Sequence, residues 1–276
     1  MKSTFLSAIN QRKSIRSYIQ FPSEEQQIKI KSLVENPIPK TPFTENSKEV
    51  VRLCYIQDSL GFSASCGVIS GDKHWICGAS KKDDKYSSEN YGFVFEWLIL
   101  ECTKLGLGTV WLGGTFRLAP FNDFLKMNAT ETLLCVSPVG VGEGQTLIGK
   151  FFSFTSGSRS RKEWKEMFYE EKYDQPIEKE KCEEKYQNAL EAVRLAPSAM
   201  NKQPWVIIRI KDGEKFIWNF YRRNYSDYTK IDIGIAMCHW QLACEELSIP
   251  GNWEDKSAEL NIEVPKDVIY IKSWVE

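Results

Sequence analysis

Helical and strand-like spacings of apolar residues follow one another along the first part of the chain. Helical spacing predicts helices over 4–12 and over 23–35, the second of which begins at a Ser-Glu-Glu capping sequence. A long apolar run predicts a helix from Tyr91 to Leu105, which ends at the Gly-Leu-Gly that begins with Gly106. The other elements predicted in this part are strands at 51–56, 74–78, 109–112 and 133–139, a short helix at 120–126, a glycine- and serine-rich loop at 140–161 and a charged amphipathic helix at 162–172.

The second part of the chain repeats this order. It predicts, in sequence, a helix at 180–194, a polar loop from Ala196 to Trp205, strands at 206–210 and 216–221, and a long helix at 232–247. Gly92 and Gly234 lie near the starts of the two long helices, and each is followed 13 residues later by a leucine. We interpret the repeat as an internal duplication with halves at 1–172 and 173–276. Two unrelated α+β stretches are the alternative.

Composition narrows the function classes. The 276 residues are 42% hydrophobic and 26% charged, with a net charge of −1. A near-neutral chain without a basic stripe argues against nucleic acid as a partner, and no apolar run approaches the roughly 18 residues of a membrane span. The N-terminus lacks the apolar stretch of a signal peptide. Eight cysteines without C-x-x-C spacing and two histidines predict no metal site, and reduced thiols predict a cytoplasmic protein.

Arg12, Ser14 and Arg16 place two guanidiniums and a hydroxyl within five residues. A phosphate group is bound by guanidinium donors together with hydroxyl or backbone N–H groups. The cluster therefore suits a phosphate site. Taken alone it is weak evidence, because arginines at the end of a helix are more often solvated or cap its carboxyl end.

The loop Pro197-Ser198-x-x-Asn201-x-Gln203-Pro204-Trp205 is more specific. Its amide side chains carry both donors and acceptors, which suits the polar edge of a flavin or its ribityl chain. A structural loop whose amides bond to the backbone is the alternative interpretation.

Together these segments resemble the nitroreductase family of FMN-dependent oxidoreductases, in which an R-x-S-x-R start is paired with an A-P-S-x-x-N-x-Q-P-W loop. The stretch from Leu105 to Gly113 is similar to the family's L-G-L-G-T-x-W-x-G. Leu134 to Gly140 resembles its last core strand, and Arg159 to Lys162 its basic C-terminal pair. The resemblance implies an α+β, three-layer α/β/α fold with two pseudo-symmetric halves, each a mostly antiparallel sheet flanked by helices.

The resemblance also implies site roles. FMN lies between two subunits in such proteins, and its chemistry requires no catalytic side chain. Positions matching the phosphate and ribityl contacts are Arg12, Lys13 (through its backbone), Ser14 and Arg16, with Arg159 and Arg161 adding positive charge. Positions matching the facing contacts on the ring are Pro197, Ser198, Ala199 and Asn201. Leu112, Gly113 and Gly114 match the segment beneath the ring, which offers a backbone N–H to flavin N5.

The chain departs from the family pattern in the spacing of its motifs. An ordinary member carries both near its start, whereas Arg12 and Pro197 are 185 residues apart here. We call the polar loop from Ala196 to Trp205 the amide loop. In its place the first half has a proline-containing stretch at 36–43, and in place of R-x-S-x-R the second half has residues 184–188. Each half thus keeps one complementary part. We expect a single-chain pseudo-dimer, a monomer with one FMN between its halves.

The implied activity is that of an FMN-dependent NAD(P)H oxidoreductase. NADH or NADPH would act as a transient donor, and a nitroaromatic, a quinone or a similar small electrophile would be reduced by two-step hydride transfer through flavin N5. Two alternatives stay open: the same fold with another substrate, as in flavin fragmentation or dehalogenation, and a flavin sensor or storage protein without turnover.

Overall fold

The computed structural model describes residues 3–36, 39–143 and 160–276. The chain divides into two compact units, 1–159 and 160–276. Each unit contains one mixed sheet with helices packed on it.

The first unit begins with a short helix and ends with a long strand. Its described elements are α1 (Phe5–Gln11), β1 (Ser17–Gln20), α2 (Glu24–Glu35), α3 (Ser47–Val50), β2 (Val51–Ile56), β3 (Ser70–Asp72), β4 (His74–Lys81), α4 (Ser87–Lys104), β5 (Gly108–Thr109), α5 (Leu118–Leu125) and β6 (Glu131–Gly142). The strand order is β2-β4-β6-β1-β3, with β5 also paired to β6. The described pairs are antiparallel except β1 with β3, which run parallel.

Local chemistry explains the two main helices of this unit. Ser23 and Gln26 form a capping box, in which each side chain accepts the backbone N–H of the other, and α2 begins there. The helix α4 is apolar on all sides and mostly buried, as expected of a helix at the centre of a domain. The core beside the sheet contains Trp75, Phe121 and Val136, all fully buried.

The second unit is built from fewer elements. Those described are β7 (Phe168–Glu170), α6 (Glu184–Leu195), β8 (Trp205–Asp212), β9 (Lys215–Arg223), α7 (Tyr228–Glu246), β10 (Asn252–Glu254) and β11 (Val268–Val275). The strand order is β10-β11-β9-β8-β7, and only β7 with β8 is a parallel pair among them. Trp205, Trp218 and Trp240 are fully buried in this unit.

Both units share one succession of elements. In each, a helix and a loop lead into two antiparallel strands, which are followed by a long helix and by a third strand antiparallel to the second. The elements are α2-β2-β4-α4-β6 in the first unit and α6-β8-β9-α7-β11 in the second. The sequence predicts this order in both parts as far as the second long helix, whereas the third strand of the second unit, β11, was not predicted. The predicted α+β class, with mostly antiparallel sheets and flanking helices, is confirmed.

The predicted helix over 162–172 is wrong. The structure has a single 3₁₀ turn at Trp164–Glu166, followed by β7. Met167, Phe168 and Tyr169 are buried in succession, because β7 pairs in parallel with β8 and is covered on both faces. Through this pairing, residues 160–172 belong to the second unit.

Several short elements were not predicted from the sequence. The strands β1, β3, β7, β10 and β11 all lie outside the predicted set, and the predicted strand over 109–112 is reduced to β5 and a bridge at Leu112. The first three residues of the predicted loop over 140–161 belong to a strand instead, since β6 continues to Gly142. Residues 144–159 lie outside the described part of the chain.

All eight cysteines are free thiols, and six of them are buried. Within the described ranges, no helix is long and apolar enough to cross a membrane. The same residues contain no group of three or more His, Cys, Asp or Glu side chains that could hold a metal ion.

Candidate functional site

The R-x-S-x-R segment lies along β5. The Ile15 N–H donates to the Thr109 carbonyl at 2.9 Å, and Ser14 forms a parallel bridge with Thr109. The Ile15 side chain rests on two glycines: a Cβ added at Gly108 or at Gly142 would lie 2.8 Å from it. Since real Cβ atoms do not approach so closely, both glycines are needed for the segment to lie flat against the sheet.

Arg12 caps the carboxyl end of α1, where its N–H donates to the Ala8 carbonyl at 2.8 Å. Its side chain is half-buried, and its Nη1 is enclosed with no hydrogen-bond partner among the described residues. Burial lowers the pKa of the guanidinium, and the nearby Glu96 carboxylate partly offsets this. Glu96 is fully buried on α4 and accepts the Trp111 Nε1–H at 2.7 Å. An enclosed guanidinium N–H without an acceptor is costly, and an anionic ligand would satisfy it.

The other residues of this segment are more accessible. Lys13 and Ser14 are exposed. Arg16 is half-buried, and burial lowers its pKa against the opposing effect of Tyr18. The Arg16 carbonyl accepts the Ser70 N–H at 3.0 Å, so the backbone of this residue is fixed to the start of β3.

Leu112, Gly113 and Gly114 continue from β5 and lie in the same unit as the R-x-S-x-R segment. Leu112 is joined to Val136 of β6 by two backbone hydrogen bonds, of 2.9 and 3.0 Å. Its N–H is therefore already used by the protein and is not the donor that the resemblance implies for flavin N5. Gly113 is half-buried and Gly114 is exposed.

The loop at 196–204 joins α6 to β8 in a strained conformation. Met200, Asn201 and Gln203 have left-handed backbones, with φ of 49°, 54° and 45°. Side chains other than glycine rarely adopt such values, and a single residue of this kind costs on the order of 1–2 kcal/mol. Three such residues within four positions keep this conformation only where neighbouring contacts fix the backbone. Backbone strain of this kind is concentrated at functional sites.

Arg161 and Asn201 provide part of that fixation. Arg161 Nη1 donates to Asn201 Oδ1 at 3.0 Å, and its Nη2 donates to the Leu195 carbonyl at 3.1 Å. Asn201 Nδ2 donates in turn to the Ser160 carbonyl at 2.9 Å. Two predicted ligand residues are thus hydrogen-bonded to each other within the second unit. Arg159, the other predicted basic residue, lies outside the described residues.

Gln203 and Ser198 complete the framework of the loop. The Gln203 N–H donates to Ser198 Oγ at 2.9 Å, and Gln203 Nε2 donates to the Asn201 carbonyl at 3.0 Å. Lys162 donates its N–H to Gln203 Oε1 at 2.8 Å and its Nζ to the Gln203 carbonyl at 3.2 Å. Pro197, Ser198 and Ala199 remain half-buried. The buried Gln203 therefore holds the loop.

Asp232 anchors the loop from α7. Its Oδ1 accepts the Ala199 N–H at 2.9 Å, and its side chain is only 3% exposed. Neither Asp232 nor Glu96 was identified as a site residue from the sequence. A usable signal was present, since each is a lone acid inside an apolar run, Ile-Asp-Ile-Gly-Ile and Phe-Glu-Trp-Leu.

The structure brings the predicted site residues together in two groups. The first unit joins Arg12, Lys13, Ser14 and Arg16 to Leu112, Gly113 and Gly114 through β5. The second unit joins Arg161 to Pro197, Ser198, Ala199 and Asn201. Each group is ordered within its own unit by backbone and side-chain hydrogen bonds.

Comparisons with solved structures give related folds. A protein described as a "putative nitroreductase" from Thermotoga maritima is 18% identical with a TM-score of 0.61, over 100% of this chain and 94% of that one. An FMN-dependent nitroreductase from Clostridium difficile has 16% identity and a TM-score of 0.41, over 50% and 88%. An iodotyrosine deiodinase bound to FMN and 3-iodo-L-tyrosine has 16% identity and a TM-score of 0.38, over 52% and 92%. Only the first bears on this chain, and it bears on the fold alone.

A comparison with curated proteins found no match. A family model described as "Putative TM nitroreductase" matches residues 4–244, which is most of the chain. With the fold, the R-x-S-x-R segment and the strained amide loop in place, this match shows that the chain belongs to the nitroreductase family.

Proposed function

We propose that the protein is an FMN-dependent oxidoreductase that transfers electrons from NADH or NADPH to a nitroaromatic, a quinone or a similar small electrophile. The observation that supports this most directly is the enclosed Nη1 of Arg12, which has no acceptor among the described residues. Membership of the nitroreductase family gives that atom its expected partner, the phosphate of FMN.

The residues of the first unit suit a phosphate group. Arg12 supplies a guanidinium whose Nη1–H lacks an acceptor, and Ser14 supplies an exposed hydroxyl two residues away. Arg16 adds a second, half-buried guanidinium on the same segment. A dianionic phosphate accepts several charge-assisted hydrogen bonds of this kind, each stronger than a neutral one. Lys13 would contribute its backbone.

The residues of the second unit suit the ring and its edge. A half-buried surface is formed by Pro197, Ser198 and Ala199. It is held by the hydrogen bond from the Ala199 N–H to Asp232 and by the bond from the Gln203 N–H to Ser198 Oγ. Asn201 is held by Arg161, so the role we propose for Arg161 is to orient this amide while adding positive charge near the site. Arg159 would add further charge.

The two groups of ligands belong to different units, and neither unit carries both. We therefore propose one FMN per chain, bound by the first unit through R-x-S-x-R and by the second through the amide loop, in a monomer that resembles a dimer of ordinary family members.

The chain's own residues would bind and orient rather than react. When bound, FMN supplies the two-electron chemistry between the nicotinamide donor and the acceptor. Cations and N–H donors at the site favour the more negative reduced cofactor. Leu112 fixes its segment by its two bonds to Val136, and the lack of a side chain at the two glycines that follow would let the cofactor come close to their backbone.

Absorbance of the purified protein tests the proposal. A flavin spectrum with one FMN per chain, bleached anaerobically by NADH or NADPH and restored by a quinone or a nitroaromatic, is the expected result. Protein that is colourless and does not bind added FMN would contradict it. Bleaching without reoxidation by any acceptor would instead indicate a binding protein without turnover.

A further inference from the structure

A buried carboxylate lies beneath the amide loop with half of its hydrogen-bonding capacity unused. Asp232 Oδ1 accepts the Ala199 N–H at 2.9 Å. Its Oδ2 is enclosed and has no hydrogen-bond partner in the part of the chain that the structure describes. Burying a carboxylate in this way is unfavourable, since neither a cation nor a second donor compensates for the lost water.

Four basic side chains on α7 and on the elements packed against it have described partners other than Asp232. Arg194 of α6 pairs with Glu191, and Arg209 of β8 pairs with Glu170, each at 2.6 Å. Arg222 of β9 donates to Asn224 and, on α7 itself, to Thr229, at 2.8 and 3.1 Å. His239 of α7 bonds to the Ala192 carbonyl at 2.8 Å. No described ion pair reaches Asp232, and desolvation raises its pKa to about 7.

The first unit performs the same anchoring without a charge. Asn90 stands two residues before Gly92 in α4, as Asp232 stands two residues before Gly234 in α7. Asn90 Oδ1 accepts the hydroxyl of Thr41, which lies in the loop that joins α2 to the sheet of the first unit. A neutral amide is therefore sufficient to tie a loop to the long helix, and the structural role alone does not account for a carboxylate at Asp232.

We propose that Asp232 is a positioning residue for the cofactor: its ionised carboxylate holds the Ala199 peptide so that the Pro197–Asn201 segment meets the flavin, and protonation releases that hold. The proposal rests on the proposed FMN function. It is independent of which acceptor the enzyme reduces. A hydrogen bond to an ionised acceptor is stronger than one to a neutral acceptor, and protonated Asp232 would present a donor for which the described residues offer no acceptor.

Binding of FMN at several pH values tests the proposal on the whole chain. The dissociation constant is measured by flavin fluorescence between pH 6 and 8.5 for the wild type, Asp232→Asn and Asp232→Ala. Asp227→Asn is the matched control, because Asp227 is exposed at the start of the same helix and has the same charge. Titration of the FMN phosphate affects all four proteins equally, so only differences between them are interpreted.

Asp232→Asn is expected to bind FMN about 3- to 10-fold more weakly than the wild type at pH 8.5 and equally at pH 6. Asp232→Ala should be weaker at both, and Asp227→Asn unchanged. Identical pH dependences for the wild type and Asp232→Asn would overturn the role of the charge. A wild type that binds no FMN at any pH would overturn the proposed function instead.

Hydrogen exchange of the Ala199 amide provides a readout without cofactor. After correction for the intrinsic effect of pH on exchange, protection in peptides spanning 196–204 is expected to fall from pH 8.5 to pH 6 in the wild type and to stay constant in Asp232→Asn. Equal protection of this amide in the wild type and Asp232→Ala would contradict the positioning role even if FMN binds.

Discussion

The two units solve the same structural problem with different chemistry. The first ties the loop after α2 to α4, and the second ties the loop after α6 to α7. The helix residues that do so, Asn90 and Asp232, each stand two residues before a glycine of the long helix. The first unit uses two neutral groups, Thr41 and Asn90. The second uses a backbone N–H and a buried carboxylate, Ala199 and Asp232, beneath a loop with three left-handed residues. The comparison shows that the fold does not require the strained, charged version, which is the one that we assign to the cofactor.

At the R-x-S-x-R segment it is the first unit that carries the charged groups which we assign to the cofactor, and the second unit that does not. The first keeps Arg12, Ser14 and Arg16 along β5, with the Nη1 of Arg12 lacking an acceptor. In the second, residues 184–188 form the regular start of α6, and its last-turn arginine, Arg194, is paired with Glu191. Among the described residues, the atom without a partner at the R-x-S-x-R segment is thus Arg12 Nη1 of the first unit, and the carboxylate oxygen without a partner beneath the loop at 196–204 is Asp232 Oδ2 of the second.

The largest effect is expected at Arg12. Arg12→Ala removes an enclosed guanidinium that we assign to the phosphate, so FMN affinity should fall about 10- to 100-fold. Stability without cofactor should change little, because the Nη1 makes no hydrogen bond there. Lys31→Ala, which removes an exposed charge from α2, is the control for net charge. Equal retention of FMN by both variants would remove Arg12 from the site.

Exchanging the side-chain types of Asn90 and Asp232, the helix residues that hold the two loops, tests the comparison. Because the pKa of Asp232 is raised to about 7, the folded protein holds a proton between about pH 4 and pH 7 that the unfolded chain has released. Asp232 therefore adds stability at low pH, and this stability is lost as the pH rises to 7. Asp232→Asn should raise the free energy of unfolding at pH 8 by about 2–3 kcal/mol more than at pH 5.

The reciprocal change, Asn90→Asp, should lower the free energy of unfolding of the first unit at pH 8 and less so at pH 5. Denaturant unfolding of both variants at the two pH values measures the effect. A pH-independent change in either variant would mean that the buried charge is not its cause.

A smaller effect is expected at the contact between β5 and the R-x-S-x-R segment. Gly108→Ala places a Cβ 2.8 Å from Ile15 and should destabilise the first unit by about 1–2 kcal/mol, while also weakening FMN binding. Adding Ile15→Ala to this variant should recover part of the loss, because the two side chains no longer overlap. Strictly additive effects in denaturant unfolding would argue against this contact.

The smallest effect is expected from relieving strain in the amide loop. Met200→Gly, at φ 49°, should stabilise the protein by about 0.5 kcal/mol, whereas Lys202→Gly, at φ −70°, should destabilise it by a similar amount. If the strain serves the cofactor, Met200→Gly should nevertheless bind FMN more weakly. Thermal unfolding and flavin titration of the pair separate the two effects.

Elements that follow from long apolar runs could be predicted from the sequence, whereas elements that depend on pairing with a distant strand could not. The helices α4 and α7 were predicted, because their patterns are long and regular, and so were the helix and the two strands that precede each of them in the repeat. The helix over 162–172 was wrong, since the burial of Met167 to Tyr169 depends on β8, some 40 residues away. The motifs of the site were found through the family resemblance. Asp232 was not, because only packing decides whether a lone acid has a partner.

The stoichiometry of FMN distinguishes one flavin site made by both units from a separate site in each. FMN and protein are quantified in the purified chain, in Arg12→Ala and in a variant of the second-unit loop, Asn201→Ala, with molecular mass in solution measured alongside. We expect one FMN per chain in a monomer, and a loss of affinity for that single FMN from a change in either unit. Two FMN per chain, or binding that responds to changes in one unit only, would contradict it.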